Sequence, residues 1–146
     1  MSLKTVNTAL TTTLVIFVLW FGTRFMVAPD TIAPTFGLPS WPSGDGDGFL
    51  RLKGIRDVAG GLVVAVLLLT GQRRALGWVM LTETFIPVGD MTDVLAHHGS
   101  TAIAFGVHGL TAVAVAVTGL LILRETRAAT AAPAPAPMST PAPAAR

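Results

Sequence analysis

Apolar residues dominate four stretches of the chain, Ala9 to Val27, Ile55 to Thr70, Ala75 to Leu95 and Thr101 to Leu123. Three of them lack the polar face that a helix of a soluble bundle carries. At about 1.5 Å of rise per residue, the stretches reach or nearly reach across a hydrocarbon core about 30 Å thick. The pattern predicts an all-α fold, a four-helix transmembrane bundle with helices over about residues 8–27, 54–70, 75–95 and 101–123. These would form one membrane domain over residues 1–127. The second helix is the weakest, because its uninterrupted apolar part begins at Val58. Arg56 and Asp57 are therefore expected in its first turn, at headgroup depth, where a long Arg stem can snorkel.

The connecting segments are punctuated by turn formers. Between Pro29 and Gly48 lie Pro34, Pro39, Pro42, Gly37, Gly44 and Gly46, which predict an extended outer loop with Trp41 as an interfacial anchor. The run Gly44-Asp45-Gly46-Asp47-Gly48 reads as an acidic turn. It is too short for a calcium loop, whose ligands span about twelve residues and end on a Glu. From Ala128 to Arg146 the chain is mostly Ala, Pro, Thr and Ser, the composition of a disordered tail.

Composition supports the membrane reading: 51% of residues are hydrophobic and 12% charged, with a mean hydropathy of +0.65. The lipid bilayer is thus the expected partner. A net charge of +2 does not point to nucleic acid, because the bases are scattered and no aromatics interleave them. Their positions do bear on topology. Lys4, Arg73, Arg74, Arg124 and Arg127 fall on one side if four helices alternate, which puts both termini in the cytoplasm of a multi-pass cell-membrane protein. Arg24, Arg51, Lys53 and Arg56 on the opposite side are a counterweight. The first apolar run exceeds a signal-peptide core of about 7–15 residues and is expected to remain as a helix. With no cysteine, disulfides and thiolate metal sites are excluded.

Candidate chemistry concentrates in the third stretch, which carries Glu83, Asp90 and Asp93 and runs into His97 and His98. A charged side chain near the centre of a spanning helix costs roughly 2.5–3.5 kcal/mol, and such residues usually face a bundle interior. At about 100° per residue, Asp90 lies about 20° from Glu83 around the helix, so the two share a stripe. Pro87 lacks the N–H that would bond the Glu83 carbonyl, and a kink is expected there. Depth matching places His108 of the fourth helix level with Asp90, and the two are expected to meet, with the Arg56–Asp57 pair and Arg24 above them. Gly60, Gly61, Gly106 and Gly109 would let the second and fourth helices approach closely. The candidate polar site is therefore Glu83, Asp90, His108, Arg56 and Asp57. Asp93 and His97, at i and i+4, read as an interfacial ion pair. Adjacent histidines on a helix point about 100° apart, so His97 and His98 with Asp93 do not make a metal site. No metal and no cofactor are expected.

These residues also carry a family resemblance. The run from Phe49 through Gly54-Ile55-Arg56-Asp57 to Gly61, then Arg74-Ala75-Leu76-Gly77, Ile86-Pro87-Val88-Gly89-Asp90 and Phe105-Gly106-Val107-His108-Gly109, resembles small four-helix integral membrane proteins of bacteria and fungi catalogued as a domain of unknown function. The resemblance extends from the first helix to Leu123. It implies a four-helix membrane fold with Arg56, Asp57, Asp90 and His108 as a polar signature, and it brings no activity.

Three functional classes remain. One is an acid/base enzyme of isomerase or cyclase type acting on a lipophilic small molecule, with His108 or Asp90 as base, Glu83 as acid and Arg56 holding an oxygen. Another is a proton-coupled small-molecule transporter in which Glu83 and Asp90 exchange protons with a cationic substrate, a class that commonly forms homo-oligomers. The third is a structural or accessory membrane protein, in which the Glu83 carboxyl makes an interhelical hydrogen bond. The serines lie outside any nucleophile-elbow context, and no phosphate-binding glycine loop precedes a helix.

Overall fold

The computed structural model describes residues 2–131, and all of its regular structure is helical. Helix α1 spans Leu3–Val27, α2 is a single turn at Pro29–Ile32, and α3 spans Asp47–Leu69. Helices α4 (Arg73–Glu83) and α5 (Phe85–Ala96) follow. A last helical run opens with α6 (Thr101–Ile103), passes through a π-helical segment at Ala104–Gly109 and continues as α7 (Leu110–Ala131). The expected tail lies, from residue 132 onward, outside the described residues. Among the described residues, α1 and the run Thr101–Ala128 are long and apolar enough to cross a membrane.

Two antiparallel hairpins make the bundle. In the first, α1 lies along α3, and in the second, α4 and α5 lie against the π-helical segment and α7. Glycines set both crossings. A Cβ on Gly54 would stand 2.5 Å from the Gly22 carbonyl oxygen, and one on Gly61 would stand 2.8 Å from Val18 of α1. In the second hairpin, a Cβ on Gly119 would come within 3.0 Å of the Gly77 carbonyl oxygen. Small residues thus bring the backbones together within each hairpin, as in membrane bundles generally. This corrects the expectation for the second and fourth helices. Gly60 faces Glu83, Gly109 faces Met91, and a Cβ on Gly106 would meet open space.

Between the hairpins, Val15, Val64, Leu76, Met80 and Ile122 form the buried core. One end of the bundle is tied by a polar cluster. Arg73 of α4 donates from Nη2 to Glu125 Oε2 at 2.7 Å and from Nε to Oε1 at 3.2 Å. Fully buried Asn7 of α1 donates to the same Oε2 at 2.8 Å. Three helices are joined by this bidentate pair.

Helix α3 begins about two turns before the expected start. Asp47 in its first turn favours the helix dipole and pairs with Arg51 at 3.1 Å, so the acidic turn becomes a helix N-terminus. Arg56 and Asp57 consequently lie about three turns into the helix, not in its first turn. The third stretch is two helices, broken at Thr84, one turn before Pro87. That is where the missing Pro87 N–H leaves the Glu83 carbonyl without its i+4 donor. The outer segment is not extended. It folds into 3₁₀ turns at Ala33–Phe36 and Gly44–Gly46, with Gly37 at φ 99° packed against Ile103 and its carbonyl bonded by the Ser100 N–H at 2.8 Å.

The glycine contacts lead to a stability contrast. Gly54→Ala should lower the stability of the detergent-solubilised protein by about 1–3 kcal/mol, the usual cost of overpacking. Gly89, in the interior of α5 with open space at its Cβ, should tolerate Ala with a gain of about 0.5–1 kcal/mol. Unfolding titrations of the two variants check this.

Candidate functional site

Three residues of α3 and one of α5 bring four charges together at the end of the bundle opposite Glu125, with Lys53 as the hub. Lys53 Nζ donates to Asp57 Oδ2 at 2.6 Å and lies 3.6 Å from Asp90 Oδ2. Arg56 donates from Nε and Nη2 to Asp57 Oδ1 at 3.2 and 3.1 Å, and its Nη2 lies 3.6 Å from Asp90 Oδ1. Each base therefore reaches both carboxylates. Asp57 is buried and Asp90 nearly so, whereas Arg56 is half exposed. Lys53 is also enclosed by rings: its Nζ lies 4.8, 5.2 and 5.8 Å from the ring centroids of Phe25, Phe36 and Phe21. Such cation–π contacts help to hold an ammonium that has left bulk water.

Beneath this lattice lies a cavity of about 120 Å³ inside the bundle. Its walls are mainly apolar, from Phe17 and Phe21 of α1 to Val115 of α7, and its polar lining includes Lys53, Asp57, Glu83, Asp90, His108 and Thr111. A second cavity, of about 240 Å³, lies under the outer segment between Trp41, Phe49 and Phe36. Lys53 and Asp90 line both, so their ion pair is part of the wall between them.

Of the five residues expected from sequence, Asp57, Glu83, Asp90 and His108 line the inner cavity, while Arg56 faces the outer one. Asp90 and His108 are not bonded to each other. His108, buried in the π-helical segment, donates from Nε2 to the Phe36 carbonyl at 2.9 Å, and its ring packs tilted against that of Phe36 with centroids 4.8 Å apart. Because a carbonyl can only accept, Nε2 carries a proton, and Nδ1 makes no hydrogen bond with a described residue. A π-helical turn re-aims a side chain within a helix and is often found at functional sites. Glu83 differs from Asp57 and Asp90. It makes no hydrogen bond or ion pair with any described residue, and a Cβ on Gly60 would stand 2.9 Å from its Oε2. The interhelical hydrogen bond considered for it is absent.

Arg24 stays outside the site, reaching Thr31 at 3.5 Å. Asp93 and His97 do form the expected i,i+4 pair, at 3.3 Å, on the exposed side of α5. Lys53 is the residue that sequence reasoning missed. Its i,i+4 spacing to Asp57 was the available signal, masked by the expectation that α3 starts at residue 54.

The family model described as "Domain of unknown function (DUF4267)" matches residues 15–122. The chain belongs to this family. No curated protein and no solved structure matches it.

The two aspartates should differ in weight. Asp57→Asn leaves Lys53 and Arg56 without their hydrogen-bonded carboxylate and should destabilise the protein by about 3 kcal/mol or more, as breaking a buried pair does. Asp90→Asn loses two longer contacts and should cost about 1 kcal/mol or less. Chemical unfolding of both variants in one detergent measures the difference.

Proposed function

We propose that the chain is a multi-pass membrane protein whose four-helix bundle binds a lipophilic small molecule in the inner cavity and exchanges a proton with it at Glu83. Support for the bilayer comes from the outward faces. Ile16, Trp20, Leu62, Phe85, Val113 and Leu120, from both hairpins, are large, apolar and exposed. Only 17% and 39% of the two long apolar windows are buried within the protein. A core helix of a soluble bundle would be mostly covered, whereas lipid accepts such faces. The third stretch then crosses as α4 and α5 together. Its break at Thr84 borders the cavity, the setting in which irregular backbone is tolerated at membrane depth.

The observation that carries the functional reading is the Glu83 carboxyl, which lines a mainly apolar cavity and makes no hydrogen bond or ion pair with a described residue. With neither oxygen bonded by a described residue, this carboxyl has its hydrogen-bonding capacity free for a bound molecule and can give up a proton to it. No described residue orients it as a general acid is oriented for a defined trajectory, and this favours proton exchange with a bound molecule, as in a proton-coupled transporter. The wall shared by the two cavities adds to this reading, because separating Lys53 from Asp90 would join them. The acid/base enzyme is a second reading, favoured by His108, which is fixed through Nε2 and has Nδ1 free.

Two measurements test the proposal. Solvent extraction and mass spectrometry of the purified protein should find a lipophilic molecule that is lost when Thr111→Phe fills the cavity. Identical contents in both proteins would refute the ligand site. Reporters inserted at Gln72 and after Arg127 should both read cytoplasmic, because both adjoin bases assigned to the inner side. A reporter on the outer side at either place would overturn the N-in, C-in arrangement.

A further inference from the structure

The charges around the inner cavity do not balance. Lys53 and Arg56 contribute two positive charges and Asp57 and Asp90 two negative ones, and each cation lies within 3.6 Å of both carboxylates. That set is closed. Glu83, lining the same cavity, has no cation within ion-pair distance among the described residues. Two more polar groups of the lining, His108 Nδ1 and the Thr111 hydroxyl, have no bonded partner among the described residues; with Nε2 donating to Phe36, the neutral imidazole accepts at Nδ1. An anionic or carbonyl head group would meet a carboxyl and a lone pair, with the local cations already engaged. A head group that carries positive charge and donates a hydrogen bond satisfies Glu83, and His108 accepts from a second donor. The walls fit such a molecule, for Phe17 and Phe21 line the cavity and the faces of aromatic rings attract cations. The neighbouring Lys53 ammonium, held by carboxylates and three phenyl rings, is an instance of the same chemistry within this protein. A volume of about 120 Å³ suits an apolar body of about one ring.

We infer that the ligand is a small lipophilic amine, held as its ammonium by the Glu83 carboxylate. This rests on the reading of the inner cavity as a ligand site. The amine enters neutral from the lipid and takes the proton from the Glu83 carboxyl onto its nitrogen, leaving carboxylate and ammonium as an ion pair. No other reactant is needed. Release reverses the transfer.

The test uses the full chain in detergent micelles with three probes of nearly one shape: N,N-dimethylbenzylamine, its uncharged isostere isobutylbenzene, and phenylacetate. Melting temperature is followed as each is titrated. The amine should stabilise the wild-type protein saturably, and the other two should not. Glu83→Gln should melt close to the wild type, because the carboxyl makes no bond to lose, and should bind the amine about tenfold or more weakly, the loss expected with one charge-assisted hydrogen bond. Thr111→Phe should abolish the effect. If Glu83→Gln does not fold, Gly60→Ala serves instead, since its methyl would meet Oε2 at 2.9 Å and displace the carboxyl. Equal stabilisation by isobutylbenzene, or preference for phenylacetate, would overturn the amine and leave the cavity as a ligand site. Amine binding that survives both Glu83→Gln and Thr111→Phe would place it elsewhere and also defeat the inference. No saturable effect from any probe would overturn the amine and the ligand site together.

Discussion

An ammonium placed among phenyl rings has to be answered where it stands, and Lys53 is the charge on which this end of the bundle is organised. With 15% of its side chain exposed, its hydration is largely replaced by Asp57, Asp90 and three aromatic faces. Those partners come from different elements: Phe21 and Phe25 from α1, Phe36 from the outer segment, Asp57 from α3 and Asp90 from α5. One side chain therefore fixes the position of four parts of the chain. Phe36, held on one face by Lys53, presents its carbonyl to His108, so the same anchor reaches the π-helical segment. Removing one partner of such a set costs more than the set contributes to stability, because the remaining charge is left in low dielectric.

The other constraint is backbone proximity. Gly22 with Gly54 and Gly77 with Gly119 close the two hairpins, but nothing comparable closes the space between them at the level of Glu83. Gly60 faces Glu83, so a small residue there makes room for a carboxyl instead of for a helix. The inner cavity is a consequence: tight crossings within the hairpins, larger side chains between them, and the helix break at Thr84 on one wall.

Much of this was legible in the sequence. The four apolar stretches mark the helices, Pro87 marks the break, and the shared stripe of Glu83 and Asp90 anticipates that both face one cavity. Helix starts were less legible. The prolines and glycines before α3 read as loop, yet the dipole preference of Asp47 and its pair with Arg51 extend the helix to residue 47. That extension brings Lys53 inward. Partnerships between distant segments were not legible at all. Periodicity gives a residue's face and depth but not its bond, so His108 was assigned to Asp90 when its partner is a loop carbonyl. The approach of Asn7 to Glu125 across 118 positions had no local signal either.

Comparing the two glutamates of the bundle separates structural from functional burial. Glu125 and Glu83 both sit on helices that line the interior, and both are carboxyl groups whose charged form an apolar surrounding disfavours. Glu125 is saturated: Arg73 bonds both of its oxygens and Asn7 bonds one, and these contacts tie α1, α4 and α7 together. A carboxylate so fixed has no capacity left for a ligand. Glu83 has all of its capacity left, beside a glycine that leaves room for it and a cavity that could hold a partner. A structural role would be served better by a Leu or by a glutamate with a donor, since even a half-buried carboxyl without a partner stabilises nothing. Its presence in this position is accounted for if what completes it comes from outside the chain.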